Sequence, residues 1–276
     1  MINRYTVIGQ PISHSLSPVV HRLFGELTQR KILYTRTEST AETFEQTVRH
    51  WKESGGRGCN ITSPFKEQAV AVCDRLSNES QRAGSVNTVH MHRDGSLVGH
   101  TTDGAGIVAD IVQNKRQVVN AKHVLILGAG GAARGVVQAI LNEKPARLHV
   151  ANRTTEKAER LVELFSDLGP VSAGGYEKLA NERQFDIVIN ATTLGMSGTM
   201  PDLPEMLFNS GALAYDMTYA QKDTAFMAWA KSLGASSCNG LGMLVEQAAE
   251  SFLLWEGVRP KTRMVYPRLQ EMLGVK

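Results

Sequence analysis

His123-Val124-Leu125-Ile126-Leu127 runs straight into Gly128-Ala129-Gly130-Gly131-Ala132-Ala133 and then into an apolar helical segment through Leu141. No other stretch narrows the possible folds so far. A strand without polar alternation is one buried on both faces, the habit of an inner strand in a parallel sheet. Gly128, Gly130 and Ala133 match G-x-G-x-x-A at the turn between strand and helix. Glycines there let the backbone approach a pyrophosphate, and the amides of the helix start face it. A tight turn without a ligand is the competing reading, and the flanking strand and helix favour the nucleotide loop. Strand-like segments recur at Leu148 to Ala151, Phe185 to Asn190, Ala212 to Asp216 and Ser236 to Cys238, with a helical one at Thr155 to Phe165. The repeat predicts a doubly wound, Rossmann-like α/β domain.

The end of the second strand of that domain separates the two nicotinamide cofactors. A carboxylate there holds the ribose 2′-hydroxyl of NAD. Here the residues are Asn152-Arg153-Thr154, followed by Lys157. A guanidinium can hold the 2′-phosphate of NADP in a bidentate grip, so NADP is the expected cofactor. Solvated residues at a helix start are the alternative, disfavoured because cations oppose the helix dipole at that end.

The first hundred residues also alternate strand and helix, but with mixed strand directions, because Val86 to His92 and Leu97 to Gly99 flank the hairpin signal Asp94-Gly95. Strands are expected at Tyr5 to Gly9, Ile32 to Arg36 and Gly58 to Thr62, and helices from Ser17-Pro18 toward Gln29 and over Thr40 to Lys52. Another helix spans Ala105 to Gln113, and the chain is helical again from Gly240, with Met243, Leu244, Ala248, Phe252 and Trp255 as an apolar stripe. With 276 residues, two domains are expected. Residues 1–103 with 240–276 are expected to form a discontinuous substrate-binding and catalytic domain, and 104–239 the NADP domain.

The chemistry concentrates in the first domain. Asn60-Ile61-Thr62-Ser63-Pro64-Phe65-Lys66 places an amide, a hydroxyl and an amine together. Ser63 is expected to cap a helix with Pro64 in its first turn, which puts Lys66 at the positive helix end, where the ammonium form is disfavoured. A capped helix with a solvated lysine is the equal alternative. Ser13-His14-Ser15-Leu16-Ser17-Pro18 gathers hydroxyls before another helix, a setting that suits a carboxylate, although Ser17 as a plain cap needs no ligand. Asn87-Thr88 lies on the hairpin strand and Asp103 at the domain junction.

A net charge of +3 argues for neither nucleic acid nor a membrane surface as partner. No secretory leader or membrane-spanning run is read, and the scattered Cys59, Cys73 and Cys238 fit a reducing, cytoplasmic setting. The histidines, His90 and His92 included, lack metal-ligand spacing, so no metal is expected.

In order along the chain, Ser-His-Ser-x-Ser-Pro, Asn-Ile-Thr-x-Pro-x-Lys, Asn87-Thr88 and Thr102-Asp103-Gly104 resemble shikimate dehydrogenases of the shikimate/quinate dehydrogenase family. So do Gly128-Ala-Gly-Gly-Ala-Ala, Asn152-Arg-Thr, Asn190-Ala-Thr192, Tyr215-Asp-Met-Thr-Tyr219 and Gly240-Leu-Gly-Met-Leu-Val-x-Gln247. The resemblance implies reversible NADPH-dependent reduction of 3-dehydroshikimate to shikimate, in aromatic amino-acid biosynthesis. It implies Lys66 and Asp103 as the catalytic pair, and Ser15, Ser17 and Thr62 as the carboxylate site, with Tyr219 nearby. Asn60, Asn87, Asp103 and Gln247 would read ring hydroxyls. On the cofactor side it implies Gly128, Ala129, Gly130, Gly131, Ala132, Ala133 and Thr192. Met217 and Gly240 would border the nicotinamide, and Asn152, Arg153, Thr154 and Lys157 the 2′-phosphate. The family has Asn-Thr-Asp-Gly where this chain has Thr101, which keeps a hydroxyl and lacks the amide. Alternatives are a quinate/shikimate dehydrogenase with broader substrate or NAD use and, more remotely, a non-catalytic NADP-binding regulatory module. Monomer and homodimer are both compatible.

Overall fold

A first strand buried on both faces over its last five residues and a 3.6-residue rhythm after it begin a mixed α/β unit in the computed structural model, which describes residues 2–182, 184–192, 194, 198–219 and 222–273. In chain order the elements are β1 (Asn3–Gly9), α1 (Ser17–Thr28), β2 (Ile32–Glu38), α2 (Phe44–Glu53), β3 (Gly58–Ile61) and α3 (Ala69–Val72). They continue with β4 (Arg75–Leu76), α4 (Asn78–Ala83), β5 (Thr88–Met91), β6 (Leu97–His100) and α5 (Asp103–Ala109), which runs into a π-helical turn at Asp110–Asn114. The second set is β7 (His123–Leu127), α6 (Gly131–Asn142), β8 (Arg147–Ala151), α7 (Thr155–Glu163), β9 (Val171–Gly174), β10 (Phe185–Asn190), β11 (Phe208–Asp216), α8 (Ala225–Ser232) and β12 (Ser236–Cys238). The chain then returns through α9 (Leu241–Glu256) and α10 (Tyr266–Leu273).

Two compact units result, Met1–Gly106 with Leu244–Lys276, and Ile107–Met243. The first holds a six-stranded sheet in the order β2-β1-β3-β5-β6-β4. Here β1 is parallel to β2 and β3, while β5 is antiparallel to both β3 and β6. Ile8, Cys59, Ile61, Val89 and Leu97 pack on one face with Phe44 and Phe65, whose rings stack 4.8 Å apart. On the other face Tyr5 stacks on Trp255 of α9 at 4.5 Å, and the indole N–H donates to Val89 O at 3.1 Å. The second unit is wholly parallel in the order β12-β11-β10-β7-β8-β9. That is the doubly wound order expected from the glycine turn, with its reversal between β7 and β10. Among the described residues no helix is long and apolar enough to cross a membrane.

Several local expectations are corrected. Residues 63–68 form consecutive turns, not the capped first turn of a helix. Phe65 N–H donates to Thr62 O, Val70 N–H to Glu67 O and Ala71 N–H to Gln68 O, the three-residue spacing of turns. Burial of Phe65 against Phe44 draws the chain inward there, so Lys66 owes its position to tertiary packing and not to a helix end. Ser17 is the first helical residue of α1 and Leu16 its cap, so Ser17 is not the capping side chain. α2 starts at Phe44 because Thr40 to Thr43 close a hydroxyl-bonded turn first, in which Thr40 N–H donates to Thr43 Oγ1. The short β4, α4 and β9 carry too few residues to show a period.

His21 of α1 is fully buried, stacked 4.2 Å over Tyr34 and flanked by Phe24, Phe252 and Trp255. Burial lowers its pKa to about 3, against a smaller opposing effect of the Asn60 side chain. The unfolded chain takes up this proton below about pH 6.5 and the folded chain does not. Stability is therefore full above about 6.5 and falls by about 1.4 kcal/mol per pH unit toward 3. His90 and His149, each lowered to about 4 mainly by burial, act in the same direction. Urea midpoints between pH 7 and 4 should decline less steeply in His21→Phe than in the wild type, and equal slopes would contradict this account.

Candidate active site

Five of the residues singled out in the sequence meet in the first unit. Lys66 Nζ lies 2.6 Å from Asp103 Oδ2, with side-chain exposures of 15% and 5%. The other carboxylate oxygen, Oδ1, accepts from Asn87 Nδ2 at 2.9 Å. Asn87 Nδ2 also reaches Thr102 Oγ1 at 2.9 Å and Gln247 Oε1 at 3.2 Å, three acceptors for two hydrogens. Its oxygen takes the Thr102 backbone N–H at 2.8 Å, which fixes the direction of the amide. Asn60 accepts from the Tyr34 hydroxyl at 2.7 Å and donates toward Asn87 O, Thr88 Oγ1 and Ser251 Oγ at 3.0 to 3.1 Å. A lysine in such a frame has the geometry to act as a directed proton donor, and its carboxylate partner is held through both oxygens.

Ser15 and Ser17 are buried, with hydroxyls 3.3 Å apart, and Ser15 Oγ accepts the Ser17 N–H. Thr62 follows β3, and its hydroxyl has no hydrogen-bond partner among the described residues. Thr101 Oγ1 is buried without a partner, so the departure from Asn leaves an orphaned hydroxyl where an amide could bond twice. Sequence reasoning passed over Tyr34 and Ser251. Ser251 shares a hydrogen with Thr88 at 2.8 Å and donates to Gln247 O at 3.1 Å. Its one signal is its place four residues after Gln247, a second polar residue beside an apolar stripe.

In the second unit the glycine turn fits a dinucleotide. Gly128 has φ +105° and its N–H donates to Ala151 O at 2.7 Å. A Cβ there would stand 3.3 Å from the Ala191 carbonyl in a conformation L side chains rarely adopt. Gly130 precedes α6 without a side-chain cap, and a Cβ built on it would meet nothing within 4 Å, which leaves the helix start open to a phosphate. Ala129 and Ala133 are buried, while Gly131 and Ala132 open the helix. At the end of β8, Asn152 donates to Thr154 O at 2.9 Å. Arg153 and Lys157 are exposed and form no ion pair among the described residues. Tyr176 sits beside Arg153; burial raises its pKa, and the charge and backbone N–H of Arg153 oppose that rise.

The carboxyl ends of β10 and β11 are tied by a second polar network. Asn190 donates to Asp216 Oδ2 at 3.2 Å and accepts from the Thr192 hydroxyl at 2.7 Å, while Thr224 donates to the same Asp216 oxygen at 2.6 Å. Met217 N–H donates to Asn190 O at 3.0 Å and Gly240 N–H to Thr218 O at 3.1 Å, which gathers Thr192, Met217 and Gly240 at one end of the sheet. Tyr219 follows three residues after β11, in this unit and not in the one that carries Lys66. Among the described residues no group of three or more His, Cys, Asp or Glu side chains is arranged to hold a metal ion.

Three family models match in order: shikimate dehydrogenase substrate binding domain at residues 7–89, shikimate/quinate 5-dehydrogenase at 110–196, and shikimate 5′-dehydrogenase C-terminal domain at 240–266. A curated relative from Alkalilimnicola ehrlichii, named shikimate dehydrogenase (NADP(+)), is 49% identical over 271 residues, 98% of this chain and 99% of its own length. The chain belongs to the shikimate dehydrogenase family. Among solved structures the chain is similar to an Ael1 enzyme from Pseudomonas putida, with a TM-score of 0.89, 39% identity, and 97% and 98% of the two chains covered. A shikimate 5-dehydrogenase from Thermus thermophilus, solved in complex with shikimate, has a TM-score of 0.85 and 32% identity over 99% and 100% of the chains.

Proposed function

We propose that this chain is a shikimate dehydrogenase, reducing 3-dehydroshikimate reversibly to shikimate with NADPH. The observation that carries the reading is the Lys66–Asp103 pair at 2.6 Å, locked by Asn87 within a network that includes Gln247. A ketone reduction needs a hydride, a proton and a cation where negative charge grows on oxygen. NADPH, when bound, supplies the hydride that adds to the ketone carbon. Lys66 stabilises the developing oxyanion and gives it a proton; in the reverse direction the lysine takes that proton from the hydroxyl. Asp103 orients the ammonium through Oδ2 and keeps it aimed because Asn87 holds Oδ1.

The remaining roles follow from chemistry. Hydroxyls of Ser15, Ser17 and Thr62 suit the substrate carboxylate. Asn60, Asn87 and Gln247 are amides that read ring hydroxyls. The turn from Gly128 to Ala133 takes the pyrophosphate, Thr192, Met217 and Gly240 flank the nicotinamide, and Asn152, Arg153, Thr154 and Lys157 take the 2′-phosphate. The three cysteines are free thiols, raised in pKa chiefly by burial, which suits a cytoplasmic enzyme. Monomer and homodimer both fit this reading.

The test is NADP+ reduction by shikimate, run beside quinate and beside NAD+. Shikimate with NADP+ should give the highest kcat/KM, and no turnover in that arm refutes the reading. Arg153→Ala should lower the NADP+ to NAD+ ratio of kcat/KM by about 10- to 100-fold, the worth of charged hydrogen bonds to a phosphate. An unchanged ratio would remove Arg153 from the cofactor site.

A further inference from the structure

The C-terminal end of β2 carries a cation that the reaction just described leaves unused. Arg36 donates from Nε at 2.9 Å and from Nη2 at 2.5 Å to the carbonyl oxygen of Ser15. The parallel register sets Arg36 opposite Val7 and Val7 opposite Asn60, and the antiparallel pair sets Asn60 opposite Thr88. Paired residues point to the same face of a sheet, so Arg36 stands in one row with Asn60 and Thr88. Tyr34, two residues earlier on that face, reaches Asn60 with its hydroxyl, in agreement with the register.

A guanidinium has five N–H donors, and two of them are spent on a single carbonyl. The group is exposed and forms no ion pair among the described residues, Glu38 further along the same face included. A clamp for the turn alone would need only a neutral donor. What the arginine adds is a permanent positive charge next to Ser15 and Ser17, whose hydroxyls are buried and 3.3 Å apart.

We infer that Arg36 is a positioning residue for the substrate carboxylate, resting on the shikimate reading above: it fixes the Ser15–Ser17 hydroxyl pair and supplies the charge that draws the anion to them. Charge at the rim of a site acts mainly through attraction over distance, and salt screens it. The decisive variant is Arg36→Gln, which keeps an N–H donor and loses the charge, with Arg36→Lys as the charge-retaining partner.

Steady-state kinetics at increasing ionic strength give the readout. Arg36→Gln should raise KM for shikimate by about 3- to 10-fold, with kcat and KM for NADP+ unchanged. Wild-type kcat/KM for shikimate should fall as salt rises, the fall should be shallower in Arg36→Gln, and Arg36→Lys should keep the wild-type slope. A purely structural clamp would not move the salt slope. Wild-type KM and slope in Arg36→Gln overturn the inference while leaving the shikimate reading intact. A wild-type protein that does not oxidise shikimate overturns both. Should Arg36→Gln unfold at assay temperature, Arg36→Met, equally uncharged, decides: a flattened slope supports the charge role and a wild-type slope overturns it.

Discussion

Lys66→Ala lowers kcat for shikimate oxidation by about 100-fold or more, the loss expected for a positioned acid/base group, while KM for NADP+ stays near the wild-type value. The separation follows from where the residue stands. Lys66 and its partners Asp103, Asn87 and Gln247 all belong to the first unit, whereas the glycine turn and Arg153 belong to the second. Asp103→Asn should act on the same step, because it removes the charge that holds the ammonium and keeps the shape that Asn87 grips. Both variants leave a largely buried group without its partner, so thermal melts must accompany the kinetics. Near-wild-type kcat in a folded Lys66→Ala protein would falsify the assignment of the proton donor.

The second large effect is on stability. Gly240→Ala should cost about 3 kcal/mol, at the upper end for overpacking a well-packed site. A Cβ at Gly240 would fall 2.2 Å from Met217 O and 2.7 Å from Met217 C, both backbone atoms with no rotamer to move. The strand end cannot yield easily either, since Met217 N–H is tied to Asn190 O and Gly240 N–H to Thr218 O. Denaturant unfolding of the variant measures the loss, and an unchanged midpoint would mean that the loop beside Met217 relaxes freely. Because Met217 and Gly240 flank the nicotinamide in the proposed reading, the surviving folded fraction should also show a reduced kcat.

Much of the second unit could be read from residues alone. The apolar run His123–Leu127, the glycine turn and the next strand at Leu148 to Ala151 are local patterns, and the parallel order β12-β11-β10-β7-β8-β9 follows the standard doubly wound scheme. The first unit was less legible. Ser63-Pro64 predicts a helix start at Lys66, a sound local signal that the burial of Phe65 overrides. Tyr34 and Ser251 gave little warning, because one serine beside an apolar stripe and one tyrosine on a strand are ordinary. Arg36 was equally plain as a strand residue, and its role depends on register across β2, β1 and β3.

By itself the sequence determined the class of both units and placed the glycine turn and the short polar motifs within them, since strand period, glycine turns and short motifs are encoded within a few residues. Only the tertiary structure decided how those side chains aim. Lys66 and Asp103 are 37 positions apart, and Asn87 and Gln247 are 160 apart, yet each pair is within hydrogen-bond distance. Contacts of that separation arise from sheet register and from the return of α9 onto the first sheet. The physical reason is burial: shared hydrophobic faces bring the elements together, and the polar groups enclosed with them must then find one another as partners.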